Sequence, residues 1–154
     1  VNTLTQYSKG CVRGCITEKT GSYGGPGGGY FEYSDPSSCG YKLKKINIRA
    51  GDYIDSLQLV LEKNGYEYSQ TKRGGNGGKA YTYTPNGTLK KIRVYYGTAK
   101  GQYVNGIQFF TDKETSQLYG RASKNYNDIS IGGNITGIYG YGGTLIDKLG
   151  FKYT

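Results

Sequence analysis

Leu43-Lys44-Lys45-Ile46 leads to Gly51-Asp52-Tyr53-Ile54-Asp55, and the same phrase returns twice. Leu89-Lys90-Lys91-Ile92 leads to Gly101-Gln102-Tyr103-Val104-Asn105. Ile135-Thr136-Gly137-Ile138 leads to Gly143-Thr144-Leu145-Ile146-Asp147. The starts at 43, 89 and 135 are 46 residues apart each time. A fixed period of this size marks one supersecondary unit used three times. With 154 residues in all, the three units share one core and form one domain.

Within the units, period-two alternation dominates. Ile46 and Ile48 share a face, as do Leu57, Leu59 and Leu61, and then Ile92, Val94 and Tyr96. Near the end Leu145, Asp147, Leu149, Phe151 and Tyr153 alternate, with Asp147 the odd polar member. Such alternation predicts half-buried strands of antiparallel sheets. Clusters of Gly, Asn and Ser divide them at short intervals, as in an all-β sandwich, barrel or prism. The 27 glycines far exceed the usual share of about 7%. They fall between patterned segments, where turns and close backbone approaches need them.

Lys and Arg total 20 against 11 Asp and Glu, a net charge of +9. That charge favours solubility or an anionic partner. Basic residues occur as pairs (Lys44-Lys45, Lys72-Arg73, Lys90-Lys91) without longer runs. No RNA-binding aromatic signature accompanies them, so nucleic acid is not expected as a partner. No apolar run reaches the roughly 20 residues of a membrane span. The start at Val1 suggests a processed, secreted product. Asn86-Gly87-Thr88 and Asn134-Ile135-Thr136 are N-glycosylation acceptor triplets that agree with this. Cys11, Cys15 and Cys39 are odd in number. A bridge from Cys11 or Cys15 to Cys39 would leave one thiol for a second chain. With no His in the sequence, a zinc site would need an extra ligand, so no metal or other cofactor is expected. Residues 1–20 lack the repeat and read as an extension tied down by the disulfide; residues 21–154 form the repeat domain.

The end of each phrase carries the chemistry. A Gly permits a tight turn; the next two residues turn their N–H groups outward; an Asp four residues on aims an acceptor-only carboxylate at the same space. Fixed donors beside fixed acceptors suit a sugar, whose adjacent hydroxyls both donate and accept. Glycine-rich loops lie upstream, Gly24-Gly25-Pro26-Gly27-Gly28 and Gly74-Gly75-Asn76-Gly77-Gly78. A single Gly-x-x-x-Asp is common as a strand-end turn closed by an Asx bond. Repetition in register, twice with a matching loop, favours binding over packing.

Gly21-Ser22-Tyr23-Gly24-Gly25-Pro26-Gly27-Gly28, the Gly51–Asp55 segment and Gly143-Thr144-Leu145-Ile146-Asp147-Lys148-Leu149-Gly150 together resemble a jacalin-related lectin over residues 21–154. The resemblance implies a β-prism I of three four-stranded Greek-key sheets with pseudo-threefold symmetry. It implies a first sugar site in which the Gly28 N–H contacts one hydroxyl. Thr144 and Leu145 N–H groups would contact the ring oxygen and primary hydroxyl, and Asp147 would accept from two hydroxyls. A second site would use the Asp52 and Tyr53 backbone, the Asp55 carboxylate and Gly78. In the copy that starts at Leu89, Asn105 replaces Asp, the paired glycines are missing near Tyr119-Gly120-Arg121, and four extra residues, Gly97 to Lys100, precede Gly101. That site is expected to be degenerate.

Because residues 1–20 precede the glycine loop, the chain is similar to the uncleaved mannose/glucose-type members and not to the galactose type. Its basic charge is similar to that of animal secreted members, and a homodimer or higher oligomer, disulfide-linked, is expected. Tyr53 and Tyr141 flank the sites but read as ordinary aromatic surface among 18 Tyr. The alternative reading is a basic surface that holds sulfated glycans or an acidic, mineralised matrix. An enzyme is not expected: Ser-His-Asp chemistry lacks its His. A glycosidase needs two facing carboxyls, whereas Asp55 and Asp147 would lie on different sheets.

Overall fold

A computed structural model describes residues 16–33, 40–97 and 103–154. Cys11, Cys15, Cys39, Gly101 and Gln102 lie outside the described residues. The strands are β1 (Glu18–Gly24), β2 (Gly29–Glu32), β3 (Lys42–Ala50), β4 (Ile54–Lys63), β5 (Tyr66–Ser69), β6 (Arg73–Gly74) and β7 (Lys79–Tyr83). They continue as β8 (Leu89–Tyr96), β9 (Val104–Thr111), β10 (Tyr119–Gly120), β11 (Asn125–Ser130), β12 (Ile135–Gly142) and β13 (Ile146–Tyr153). No helix among the described residues is long and apolar enough to cross a membrane.

The 46-residue repeat becomes three antiparallel sheets of one connectivity. Each is centred on a long hairpin, β3–β4, β8–β9 or β12–β13, that begins at one repeated phrase. The strand orders are β5-β4-β3-β7, β10-β9-β8-β11 and β1-β13-β12-β2, with the short β6 also pairing β4. In the last sheet the outer strands come from the start of the chain and the hairpin from its end. Residues 24–28 are thereby carried to residues 142–147.

Alternation decides which face of each sheet turns inward. Ile46, Ile48, Leu57, Leu59 and Leu61 from one sheet meet Ile92, Val94, Ile107 and Phe109 from the second. Ile135, Ile138, Leu149 and Phe151 complete the core from the third. All are at most 2% exposed, so three faces fill one interior. Phe109 stacks on Tyr83 at 4.8 Å between ring centres, joining two sheets through aromatic contact.

The ladder shifts at two places in every hairpin, once within the repeated phrase (Leu43/Lys45, Leu89/Lys91, Ile135/Gly137) and once beside the residue that ends it. Arg49 pairs with Ser56 but Ala50 with Ile54, leaving Asp55 unpaired. Tyr95 pairs with Gly106 but Tyr96 with Val104, leaving Asn105. Tyr141 pairs with Lys148 but Gly142 with Ile146, leaving Asp147. Each is a β-bulge, an extra residue that shifts the phase of the strand. Ile54 and Leu57 can therefore both enter the core despite an odd separation, as do Val104 and Ile107, and Ile146 and Leu149. This corrects the alternation expected from Leu145: Ile146 is the core residue and Leu145 is only half-buried.

Replacing Phe109 by Ala is expected to cost about 3–5 kcal/mol, because it removes a fully buried ring from the junction of the sheets. Chemical denaturation followed by circular dichroism checks this. A loss below about 1 kcal/mol would show that the three sheets do not share the core described.

Candidate functional site

The bulge gives each hairpin a carbonyl that points out of its ladder. That carbonyl is claimed by the neighbouring loop. Gly25 N–H donates to Asp147 O at 2.8 Å, Gly75 N–H to Asp55 O at 2.8 Å, and Arg121 N–H to Asn105 O at 2.9 Å. The residue before each donor is a glycine with positive φ: Gly24 (132°), Gly74 (103°) and Gly120 (82°). A Cβ at these positions would fall 2.0–2.2 Å from the same bulge carbonyl. Only glycine permits this approach, and all three copies keep it.

A tight turn precedes the bulges at Asp55 and Asp147. Gly51 N–H donates to Tyr53 O and Gly143 N–H to Leu145 O, both at 3.0 Å. In the middle copy Gly97 N–H donates to Tyr103 O at the same distance. Gly97 is thus the structural counterpart of Gly51 and Gly143, a role that spacing had given to Gly101.

The second half of the glycine loop closes the cup. At the first site, Cβ atoms on Gly27 and Gly28 would lie 2.7 Å and 3.0 Å from Asp147 Oδ2 and Oδ1. At the second, Gly77 and Gly78 face Asp55 Oδ2 and Oδ1 at 2.5 Å and 2.6 Å in the same sense. Sequence-distant glycine loops and aspartates therefore come together twice, contact for contact. Thr144 and Gly28 at one site, and Asp52, Tyr53 and Gly78 at the other, are exposed at the mouth. The N–H groups of Gly28, Thr144 and Leu145 take no part in the bonds that close the turn. Asp147 is 7% exposed, and burial raises its carboxyl above the ordinary value of 3.8. Burial raises Asp55 as well, opposed in part by the Arg49 charge. Desolvation without a hydrogen-bond donor leaves the ionised form under-stabilised, so each carboxylate can accept from a ligand.

The middle copy keeps the frame and loses the cup. Ser123 and Lys124 precede β11 where Gly27-Gly28 precede β2 and Gly77-Gly78 precede β7. The Ser123 hydroxyl donates to Tyr96 O at 2.9 Å and occupies the loop. Asn105 Oδ1 is buried and has no hydrogen-bond partner among the described residues. Arg121 instead reaches Asp52 of the second cup, Nη1 to Oδ1 3.4 Å.

The two cups and the Asn105 bulge share one end of the molecule. A Cβ on Gly75 would sit 2.5 Å from Thr144 O, so the two cups are adjacent. Tyr53 packs edge-on to Tyr103 at 5.2 Å, and Tyr141 edge-on to Tyr30 at 5.4 Å. Both flanking tyrosines are thus engaged by other rings. The exposed Asn86 and Asn134 lie before β8 and β12, at the opposite end of those strands. Asp55 and Asp147 belong to bulges of different sheets, each facing its own glycine loop.

What sequence reasoning missed was the bulge. Its signal is the odd spacing of core residues across each aspartate, as in Ile54 and Leu57 or Ile146 and Leu149.

The Jacalin-like lectin domain family matches residues 20–152. Jacalin-related lectin 3 of Arabidopsis thaliana is 29% identical over 82% of this chain, which spans only 22% of that protein's length. Jacalin-related lectin 19 of the same plant is 27% identical over 88% of this chain and 80% of its own. A mannose-specific jacalin-related lectin from Morus nigra, solved in complex with mannose, superposes with a TM-score of 0.76 at 27% identity. That superposition covers 90% of this chain and 94% of the other. These relatives are plant proteins, so the similarity to animal members suggested by charge is not borne out. The chain belongs to the jacalin-like lectin domain family, with its β-prism I fold, a family of non-catalytic, carbohydrate-binding lectins.

Proposed function

We propose that the protein binds mannose- or glucose-type sugars at two sites per chain. At the first, the Gly28 N–H contacts one hydroxyl. Thr144 and Leu145 N–H groups contact the ring oxygen and the primary hydroxyl, and the Asp147 carboxylate accepts from two hydroxyls. At the second, the Asp52 and Tyr53 backbone, the Asp55 carboxylate and Gly78 take the same parts. The observation that carries this reading is the point-by-point equivalence of the two glycine–aspartate cups. The mannose-specific Morus nigra relative supports the choice of sugar. The Asn105 cup lacks a carboxylate and an open loop, and contributes no site.

A shallow cup gives weak affinity, about millimolar, or roughly 4 kcal/mol. Two cups and a dimer would raise avidity on the order of 10²-fold on a surface of many glycans. Secretion agrees with the acceptor triplets. Glycans on Asn86 and Asn134 would leave the cups uncovered, since both asparagines sit at the other end of their sheets.

Asp147→Asn combined with Asp55→Asn is expected to abolish methyl α-mannoside binding in calorimetry while leaving thermal stability near that of the parent. Unchanged binding in the double variant would sink the site assignment.

Acidification gives an independent check. Burial raises the folded pKa of both aspartates, so folding favours their neutral forms and ionisation costs stability as pH rises through the window above 3.8. Sugar hydroxyls need the ionised acceptor. Binding should therefore be full at neutral pH and fall on acidification, with a midpoint above 3.8. An affinity unchanged down to that value would show that these carboxyls do not hold the sugar.

A further inference from the structure

The outer faces of the three sheets carry equivalent positions with different charges. Asn47, Arg93 and Tyr139 are related by the repeat, and opposite them stand Thr82, Asp128 and Glu32. In two sheets the opposing residue is a carboxylate, and it forms ion pairs with the cations around it. Arg93 Nε lies 2.7 Å and Lys91 Nζ 3.5 Å from Asp128. Lys19 Nζ lies 2.7 Å and Lys152 Nζ 3.1 Å from Glu32. The remaining sheet has Thr82 at that place.

Beside Thr82 the β3–β4–β7 sheet holds a groove of about 260 Å³ whose lining includes Asn47, Arg49, Gln58, Lys72, Asn76 and Thr82, with no Asp or Glu. The amides satisfy one another. Thr82 Oγ1 donates to Asn47 Oδ1 at 2.9 Å, Asn47 Nδ2 to Gln58 Oε1 at 3.0 Å, and Gln58 Nε2 to Gln70 O at 3.0 Å. The cations are a different matter. Arg49 donates only to neutral carbonyls, Gly77 O and Gly78 O, both at 3.0 Å. Lys72 donates to the amide oxygen of Asn76. Neither forms an ion pair among the described residues. Two positive charges thus meet in a concave polar surface with no carboxylate in its lining; Arg49 also acts at longer range on Asp55 of the adjoining cup.

This groove is continuous with the second cup. Arg49 clamps the carbonyls of Gly77 and Gly78, the residues that face Asp55, and Asn76 belongs to the same loop. We propose that the groove binds an anionic substituent, a sulfate ester or a uronate carboxylate, on the sugar unit next to the hexose held in the second cup. The inference rests on the two-site lectin reading and assigns the second site an acidic saccharide. The first site has no such neighbour, because Glu32 already fills the corresponding place. Charge-assisted hydrogen bonds to sulfate or carboxylate are stronger than neutral ones. On an exposed surface they are also screened by salt.

Calorimetry on the full chain tests this with mannobiose, a sulfated mannobiose and a mannosyl-uronate disaccharide at low and high salt. At low salt at least one acidic disaccharide should bind about tenfold tighter than mannobiose, the effect of one charge-assisted contact. The acid that gains identifies the preferred anion, and the gain should shrink in high salt. Thr82→Asp restores the carboxylate present in the other two sheets, and Lys72→Gln removes a cation. Each should erase the gain while leaving mannobiose affinity and the melting temperature unchanged. Mannobiose binding with no acidic gain, or a gain that survives both variants, overturns this inference alone. Absence of any mannobiose binding to the parent protein overturns the lectin sites, and the inference with them.

Discussion

The hydrogen bond from a loop N–H to the carbonyl of the bulged residue is the contact on which both architecture and site depend. A bulge leaves one carbonyl outside its ladder, and a buried backbone acceptor without a partner is costly. Gly25, Gly75 and Arg121 supply the donors. In doing so they bring a loop from one part of the sequence against a turn from another. The bulge also throws the side chain of the extra residue out of the strand's alternation and into the space below the loop. One local irregularity thus satisfies the backbone, orients an aspartate and sets the width of the cup. The aspartate is half of a sugar site only because the bulge holds it there.

Much of this was legible in the sequence because repetition exposes constraint. The fixed period implied three equivalent sheets, and alternation implied which residues fill their common core. Pairing of Gly24–Gly28 with Asp147 came only through resemblance, since residues so far apart in sequence carry no local signal of contact. The bulge was missed because period-two counting placed Leu145, Asp147 and Leu149 on one face. Ile146 in the core was the clue against it. Sequence reasoning also treated the glycines of each loop as one feature. They serve two purposes. Gly24, Gly74 and Gly120 recur in all three copies because the bulge carbonyl leaves no room for a Cβ. Gly27-Gly28 and Gly77-Gly78 are replaced by Ser123-Lys124 in the copy whose aspartate is also lost. Glycines kept everywhere belong to the fold, whereas those lost together with the aspartate belong to the site.

Electrostatics separates the copies further. Burial raises the carboxyls of both Asp147 and Asp55, and only at Asp55 does a cation, Arg49, oppose the shift. On the outer faces, Glu32 and Asp128 each pair with two cations, while with Thr82 at the equivalent place Arg49 and Lys72 form no ion pair among the described residues. The same prism therefore presents two similar cups in different electrostatic settings, and a third position that is structural. Net charge alone, +9 over the chain, points to no particular face. Comparing equivalent positions across the three sheets does.

The central claim is that three copies of the frame carry two complete cups. Isothermal titration of the chain with methyl α-mannoside, fitted for stoichiometry against an independently measured protein concentration, tests it most directly. The account predicts two sugars bound per chain. One per chain would mean that the Asp55 cup does not bind despite its matching geometry. Three would mean that Asn105 with Ser123 and Lys124 can replace an aspartate and an open glycine loop, which would contradict the argument.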